Sequence, residues 1–179
     1  MMLKKYSVAC GALASLAVLP GLAFASSNTI SFQGEVAAQT CGISINGVDT
    51  SPVVLLPTVS TAQLDTSGKS AGATTFEVGV SGCTGSAEGM SFSTVFVGNQ
   101  VTSAGNLGNT GTAGNVELQI VDSTGGNINF TNGFTGNRDL VLGANQTSAS
   151  STYTAQYFST GVATPGSVMA TMQYAISYL

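Results

Sequence analysis

The final 14 residues, "GSVMATMQYAISYL", constrain the fold more than any other part of the sequence. Every second residue from Val168 to Tyr178 is apolar or aromatic, and the residues between them are mostly small or polar. This two-residue period is typical of a β-strand with one buried face. The pattern predicts a strand over residues 167–178 whose apolar face must be covered by another element.

The first 25 residues have the pattern of a secretory signal peptide. Two lysines precede an uncharged stretch from Val8 to Leu19, and "AFA" at 23–25 fits the small-x-small cleavage pattern. A membrane-spanning helix is the alternative, but the stretch is short and is interrupted by Gly, Ser and Pro. We therefore expect export and a mature chain that begins at Ser26.

The charge balance argues against nucleic acid as a partner. Two of the four basic residues lie in the predicted leader, which leaves Lys69 and Arg138 against eight acidic residues and a net charge of −6. A chain with so few cations cannot neutralise a row of phosphates. We expect no nucleic-acid binding.

The residue types also argue against catalysis. The sequence contains no His, which removes the usual general base of a Ser-His-Asp or Cys-His site. The acidic residues are scattered singly, whereas a glycosidase needs a carboxylate pair. The Gly-rich stretches lack the "GK[ST]" ending of a phosphate loop. We expect a protein that is not an enzyme and that has no catalytic site, metal or cofactor.

The cysteine count predicts one disulfide. Removal of the leader takes Cys10 with it and leaves Cys41 and Cys83, 42 positions apart, in an exported chain. Two such cysteines most simply form a disulfide. A metal site is the alternative, but two thiols without a His make a poor zinc site.

The rest of the chain reads as short strands separated by Gly-rich and Asn-rich turns. The stretch "VDSTGGNINF" predicts a hairpin around Gly125-Gly126, and residues 101–115 read as a low-complexity surface loop. Many short strands in one domain-sized chain predict an antiparallel β-sandwich. The predicted strands are Thr29–Ala38, Gly42–Ile45, Pro52–Leu56, Thr74–Ser81, Met90–Gly98, Val116–Asp122, Ile128–Thr131, Arg138–Leu142, Thr152–Ser159 and Ser167–Tyr178.

The segment before Cys41 has the same two-residue period as the C-terminal strand. Ser31, Gln33 and Glu35 alternate with the residues of its more apolar face. An ordinary first strand of the sandwich is one interpretation of this segment. The residues of the apolar face are Asn28, Ile30, Phe32, Gly34 and Val36, followed by Ala38.

The whole mature chain resembles a fimbrial subunit of the chaperone–usher pathway, most like the type 1 pilins. The similarity includes "F-x-G-x-V" at 32–36, "FEVGVSGC" at 76–83 and "VELQIVDSTGG" at 116–126. It continues through "YTAQYFSTGVATPGSV" at 153–168. In this family a Gly stands fourteenth from the end and a Tyr is penultimate, as Gly166 and Tyr178 do here.

The resemblance implies an incomplete immunoglobulin-like β-sandwich that lacks its last strand. A strand from a periplasmic chaperone fills the resulting groove first, and the N-terminal segment of a neighbouring pilin subunit fills it later, a known form of strand addition. An outer-membrane usher is the third implied partner, and the product is a surface fimbrium that supports adhesion. The implied acceptor-groove and chaperone-docking residues are Gly166, Val168, Ala170, Met172, Tyr174, Ile176 and Tyr178.

Three segments follow from this interpretation. Residues 1–25 are the signal peptide, 26–40 are the donor-strand extension, and 41–179 are the pilin domain. A single-domain fimbrial adhesin or a minor adaptor subunit of the same fold is the alternative to a shaft subunit that polymerises by donor-strand exchange.

Overall fold

The computed structural model describes residues 35–36, 41–84 and 87–178. The predicted signal peptide lies outside these residues, as do the predicted donor positions Asn28, Ile30, Phe32 and Gly34. Val36 is described, and its side chain is fully exposed to solvent. All strands of the described part lie between residues 41 and 178.

The described residues form an almost entirely β structure, as predicted. No α-helix occurs in the described ranges, and the one helical turn there is a 3-10 helix, Thr61–Leu64. Its first turn is capped by Ser60, whose Oγ accepts from the Ala62 amide while the Gln63 side chain accepts from the Ser60 amide. The strands are β1 Gly42–Ile45, β2 Ser70–Ser81, β3 Met90–Gly98, β4 Val116–Val121, β5 Phe134–Thr135, β6 Leu140–Leu142, β7 Ala149–Ser159 and β8 Met172–Ser177.

The strands form two antiparallel sheets. The first sheet has the order β1-β2-β7-β4. In the second sheet β3 is central and pairs with β5, β6 and β8. The β8 ladder runs from Ser93↔Ser177 to Gly98↔Met172, so β3 holds the C-terminal strand along most of its length.

The core lies between the two sheets and is rich in aromatic rings. Tyr153 of β7 stacks on Phe76 of β2, with ring centroids 5.8 Å apart. The same tyrosine meets Phe96 of β3 edge-on at 5.0 Å, and offset or edge-on contacts are the favoured geometry for such rings. A second group of buried side chains lies around Phe92 and contains Val80, Cys83, Leu140 and Leu142.

The predicted disulfide is confirmed. Cys41 precedes β1 and Cys83 follows β2, and the two strands pair from Gly42↔Ser81 to Ile45↔Val78. This register brings the two cysteines to the same end of the ladder, where they are bonded with a Cα–Cα distance of 4.5 Å. The bond therefore anchors the start of the domain to the buried group around Phe92.

A buried polar network links the two sheets. Tyr153 is 1% exposed, and its hydroxyl donates to Asp139 Oδ2 at 2.7 Å. Thr94 donates to the same carboxylate from its amide at 2.9 Å and from its hydroxyl at 2.7 Å. Burial, reinforced by the carboxylate, raises the pKa of Tyr153 well above its usual range.

Most strand predictions from the sequence are confirmed. The bounds of β1 and β3 are those predicted, and the hairpin at Gly125-Gly126 closes with the Asp122 amide donating to the Gly126 carbonyl at 2.8 Å. Strands β2, β4, β6 and β7 begin or end within a few residues of the predicted bounds, whereas β8 is assigned only to Met172–Ser177. No strand was predicted at the two-residue β5.

Two predicted strands are wrong. Residues Pro52–Leu56 form no ladder in the described part of the chain. The predicted strand Ile128–Thr131 makes one backbone bond to Ile120, at 2.9 Å. The Phe130 amide then donates to the Gly105 carbonyl at 2.8 Å, so the segment bonds to two different partners and forms no continuous ladder. On its other edge, the Asn129 side chain accepts from the Thr131 amide at 2.9 Å in a local turn.

The prediction of a surface loop at 101–115 is also wrong in part. Leu107 is 2% exposed. Its amide and carbonyl both bond to Leu118 of β4 at 2.9 Å. The low-complexity composition of this stretch did not indicate that Leu107 is buried in the core beside β4.

The buried Tyr153 hydroxyl predicts an alkaline loss of stability. Above pH 10 the unfolded chain loses the Tyr153 proton while the folded chain, whose pKa is raised, keeps it. The free energy of unfolding should then fall with pH by about 1.4 kcal/mol per unit. Denaturant unfolding between pH 8 and 11 measures this slope, which should be smaller in Tyr153→Phe. An identical slope in that variant would contradict the prediction.

Candidate functional site: an apolar groove beside the C-terminal strand

A groove runs between the C-terminal segment and the chain that follows β1. Two cavities of about 380 and 370 Å³ follow one another along these two segments. Both therefore belong to one elongated depression. The first is lined by Ile45, Ser51, Pro52, Val54, Leu56, Phe76, Leu107, Leu118, Ile120, Ala155, Ala170, Thr171, Met172 and Tyr174. The second is lined by Thr58, Val59, Ser60, Thr61, Leu64, Ala113, Val116, Tyr157, Ala163, Thr164, Pro165, Gly166, Ser167 and Val168.

One wall of the groove is the predicted C-terminal face. The side chains of Val168, Ala170, Met172, Tyr174 and Ile176 are each partly buried, whereas Met169, Thr171, Gln173 and Ala175 between them are exposed. The alternation predicted from the sequence is therefore present. The groove-facing residues remain only partly covered because the core beneath them is open along this side.

The opposite wall is the segment that sequence reasoning assigned to a strand. Pro52, Val54 and Leu56 are partly buried and face the groove, while Val53 and Leu55 are 75% and 82% exposed. The segment is extended and alternates as a strand does, but its backbone makes no hydrogen bond with the other described residues. The predicted apolar alternation is therefore present, but no described residue pairs with the segment as a neighbouring strand would.

The backbone of the C-terminal segment is satisfied along one edge. The Asn99 amide donates to the Thr171 carbonyl at 3.2 Å, continuing the β3–β8 ladder. Beyond it, the Thr110 amide donates to the Met169 carbonyl at 2.8 Å, and the Ala113 amide donates to Ser167 at 3.0 Å. The odd-numbered residues thus direct their backbone groups towards β3 and the 109–113 loop.

The other edge of the same segment is open. Alternate residues of an antiparallel strand direct their N–H and C=O groups to opposite edges. The even-numbered residues therefore direct these groups into the groove, and within the described ranges no hydrogen bond reaches them. The five residues of this open edge are Val168, Ala170, Met172, Tyr174 and Ile176.

Gly166 lies where two backbone segments approach closely. A Cβ on Gly166 would collide with the backbone of Thr112 and Ala113, and a Cβ on Gly111 would collide with the Ser167 backbone. The Ser167 amide and hydroxyl also bond to Thr112. The 109–113 loop thus supports the start of the C-terminal segment through its backbone and through the side chains of Asn109, Thr110 and Thr112. The prediction of a surface loop at 101–115 missed this role.

Tyr178 closes the opposite end of the groove. Its ring meets Phe92 edge-on at 5.0 Å, and its hydroxyl accepts from the Cys41 amide at 2.7 Å. Its own amide donates to both carboxylate oxygens of Glu35, at 3.0 and 3.1 Å. Sequence reasoning placed Tyr178 on the groove face but missed Glu35, which appears there as one of several isolated acidic residues.

The described residues show no arrangement typical of a metal site or a membrane helix. No group of three or more His, Cys, Asp or Glu side chains among them is placed to hold a metal ion. None of the helical structure in these ranges is long and apolar enough to cross a bilayer. The chemistry of the groove is that of apolar burial and backbone hydrogen bonding.

A fold with one strand position left open matches a known family. A family model described as fimbrial protein matches residues 30–179. The chain belongs to the fimbrial protein family. The match spans both walls of the groove and the disulfide.

Curated relatives of this fimbrial protein cover nearly its whole length. An F17 fimbrial protein of Escherichia coli is 32% identical, over 98% of this chain and 99% of its own. The major fimbrial subunit SMF-1 of Stenotrophomonas maltophilia is 34% identical, over 91% and 99%. The minor fimbrial subunit HifD of Haemophilus influenzae is 32% identical, over 93% and 80%.

Solved pilus structures share the fold. The P pilus rod subunit PapA superposes with a TM-score of 0.58 at 15% identity, covering 77% of this chain and 99% of its own. A subunit from a chaperone–usher pilus superposes with the same TM-score at 16% identity, covering 86% and 96%. The fold is thus the immunoglobulin-like sandwich of chaperone–usher pilins, which lacks its last strand. Together with the family model and the curated relatives, which are fimbrial subunits, this makes the chain a structural subunit of a pilus.

The close approach at Gly166 allows a test of whether the 109–113 loop holds the Gly166 end of the groove. Gly166→Ala would force the 109–113 loop away and should cost about 1–3 kcal/mol, as overpacking does. Gly108→Ala is the matched control, because a Cβ there would meet Gln100 at an ordinary 3.6 Å. Denaturant midpoints of the two variants with the groove occupied measure the difference. Equal midpoints would show that the loop does not hold this segment.

Proposed function

We propose that this fimbrial subunit polymerises head to tail by donor-strand exchange, with the groove as its acceptor. The observation that supports it is the open edge from Val168 to Ile176. A strand laid there would bond to the backbone groups of β8 and cover the apolar residues of both walls. Strand addition satisfies both needs at once.

The donor we propose is residues 26–40 of the next subunit in the fibre. Its five inward positions, Asn28, Ile30, Phe32, Gly34 and Val36, equal in number the five residues of the open edge. Burial of Ile30, Phe32 and Val36 would contribute about 5–9 kcal/mol at roughly 1.5–3 kcal/mol each. Each ladder bond would add about 0.5–1.5 kcal/mol net, partly offset by ordering of a flexible segment. Because such a strand completes a core, dissociation requires partial unfolding and is slow.

The two ends of the groove determine the direction of the donor. The Tyr178 end is occupied by the subunit's own Glu35 and Cys41, which contact Tyr178. The folded domain of the incoming subunit must therefore lie beyond the Gly166 end. Because that domain follows its extension in sequence, the donor strand runs antiparallel to β8.

Assembly through the periplasm completes the proposal. Residues 1–25 act as the signal peptide, and 41–179 are the pilin domain that receives the donor. Before assembly, a periplasmic chaperone covers the face from Val168 to Tyr178 with a strand of its own, and an outer-membrane usher exchanges it. An exposed edge of this kind is otherwise prone to aggregation.

The inward face of the donor gives the first test. Phe32→Asp would place a carboxylate in an apolar groove at a cost of several kcal/mol, so fibre assembly should fail. Gln33→Asp is the matched control, because it introduces the same charge on the outward face and should assemble. Electron microscopy of fibres and their resistance to denaturant measure both outcomes. Normal fibres from Phe32→Asp would contradict the donor assignment.

The second test supplies the missing strand within one chain. A copy of residues 26–38 joined to Leu179 by a flexible linker should fill the groove at an effective concentration in the millimolar range. The fusion should be a monomer with a higher melting temperature than the subunit alone, and it should accept no neighbour. The control is the same fusion with Phe32→Asp in the added copy.

Calorimetry and size-exclusion chromatography distinguish the two fusions. Equal melting temperatures for the two would contradict the proposal. A subunit without any added strand that is monomeric and unfolds cooperatively at high temperature would also contradict it, since its fold would need no completion.

A further inference from the structure

The last outward-directed amide of the C-terminal segment belongs to Tyr178, and it is bonded. After Ile176 it is the next group that a donor strand would pair with, but both carboxylate oxygens of Glu35 already accept from it. The Ser177 hydroxyl donates to Glu35 Oε2 at 3.0 Å as well. Glu35 therefore ends the open edge at Ile176.

Glu35 is itself part of the donor segment. It lies between Gly34 and Val36, two positions that would enter the groove of a neighbouring subunit. Residue 35 and Cys41 both contact Tyr178, one at its amide and the other at its hydroxyl. Entry of Gly34 and Val36 into the groove of a neighbouring subunit would carry Glu35 with them, away from the Tyr178 of its own chain.

We propose that Glu35 couples the two halves of donor-strand exchange, a role that rests on the function proposed above. While the subunit's own extension is free, Glu35 caps the Tyr178 amide and limits the acceptor edge to five residues. When the extension is donated to a neighbouring subunit, Glu35 leaves the Tyr178 amide. Tyr178 then joins the open edge of its own subunit. A subunit that has donated its strand thus holds an incoming strand over one more ladder position than one that has not.

The expected effect is the gain of about one net hydrogen bond. Because one such bond corresponds to a factor of roughly 2 to 12 in an equilibrium constant, a donor strand should dissociate more slowly by that factor once Glu35 is released. The coupling favours growth on subunits already joined to the fibre over pairing between free subunits.

The experiment uses the mature chain with Phe32→Asp, so that its own extension stays undonated. The chain is refolded with a labelled peptide of residues 26–38 as the donor, and dissociation is followed after a chase with unlabelled peptide. Glu35→Ala mimics release, Glu35→Gln keeps one acceptor oxygen, and Glu77→Ala removes an exposed carboxylate on β2. Glu35→Ser replaces Glu35→Ala if the latter does not refold. Hydrogen exchange of the Tyr178 amide is measured in each with and without peptide.

We expect slower dissociation, roughly 2- to 12-fold, in Glu35→Ala only, with Glu35→Gln and Glu77→Ala close to the parent. The Tyr178 amide should become sensitive to peptide in Glu35→Ala and stay insensitive in the parent. Equal dissociation rates with an insensitive Tyr178 amide would overturn the role of Glu35 and leave donor-strand exchange standing. Failure of the peptide to bind any variant would overturn the donor function, and the role of Glu35 with it.

Discussion

The open edge of β8 is the constraint on which the rest of the structure depends. Five residues from Val168 to Ile176 direct their backbone groups into a groove where no described residue bonds to them. Their side chains face the same groove, and those of Ala170, Met172 and Tyr174 pack against the aromatic core. A strand laid along this edge can bond to the backbone groups and cover the apolar side chains at once. The domain thus leaves one strand position open, which the proposed donor strand would fill.

The remaining structure holds this edge in place. β3 pairs with the C-terminal segment on one side, and the 109–113 loop extends that support to Ser167. At the opposite end of the groove, the Tyr178 ring packs against Phe92. The disulfide lies beside Tyr178, because the Cys41 amide donates to its hydroxyl. Both ends of the groove are therefore tied to the core, and the groove stays open between them.

The sequence predicted strands well where alternation was strong and the partner lay within the chain. The bounds of β1 and β3 matched because each has an apolar face that packs in the core. The prediction failed at Pro52–Leu56 because its side chains alternate as in a strand but no described residue bonds to its backbone. It failed at Ile128–Thr131, where single backbone bonds go to Ile120 and to Gly105 and no continuous ladder forms. The two-residue strand β5 is too short to give a periodic signal.

The sequence by itself determined the all-β class, the cysteine pair and the two alternating segments, because these depend on residue type and a period of two. It also placed Val168 to Tyr178 on one face. Only the tertiary structure decided which edge of that strand stays open, because the bonding direction of a residue depends on the register with β3 and not on its side chain. It alone brought Pro52–Leu56 opposite β8 to form the second wall. The contact of Glu35 with Tyr178 likewise joins residues 143 positions apart, a distance over which no local pattern carries information.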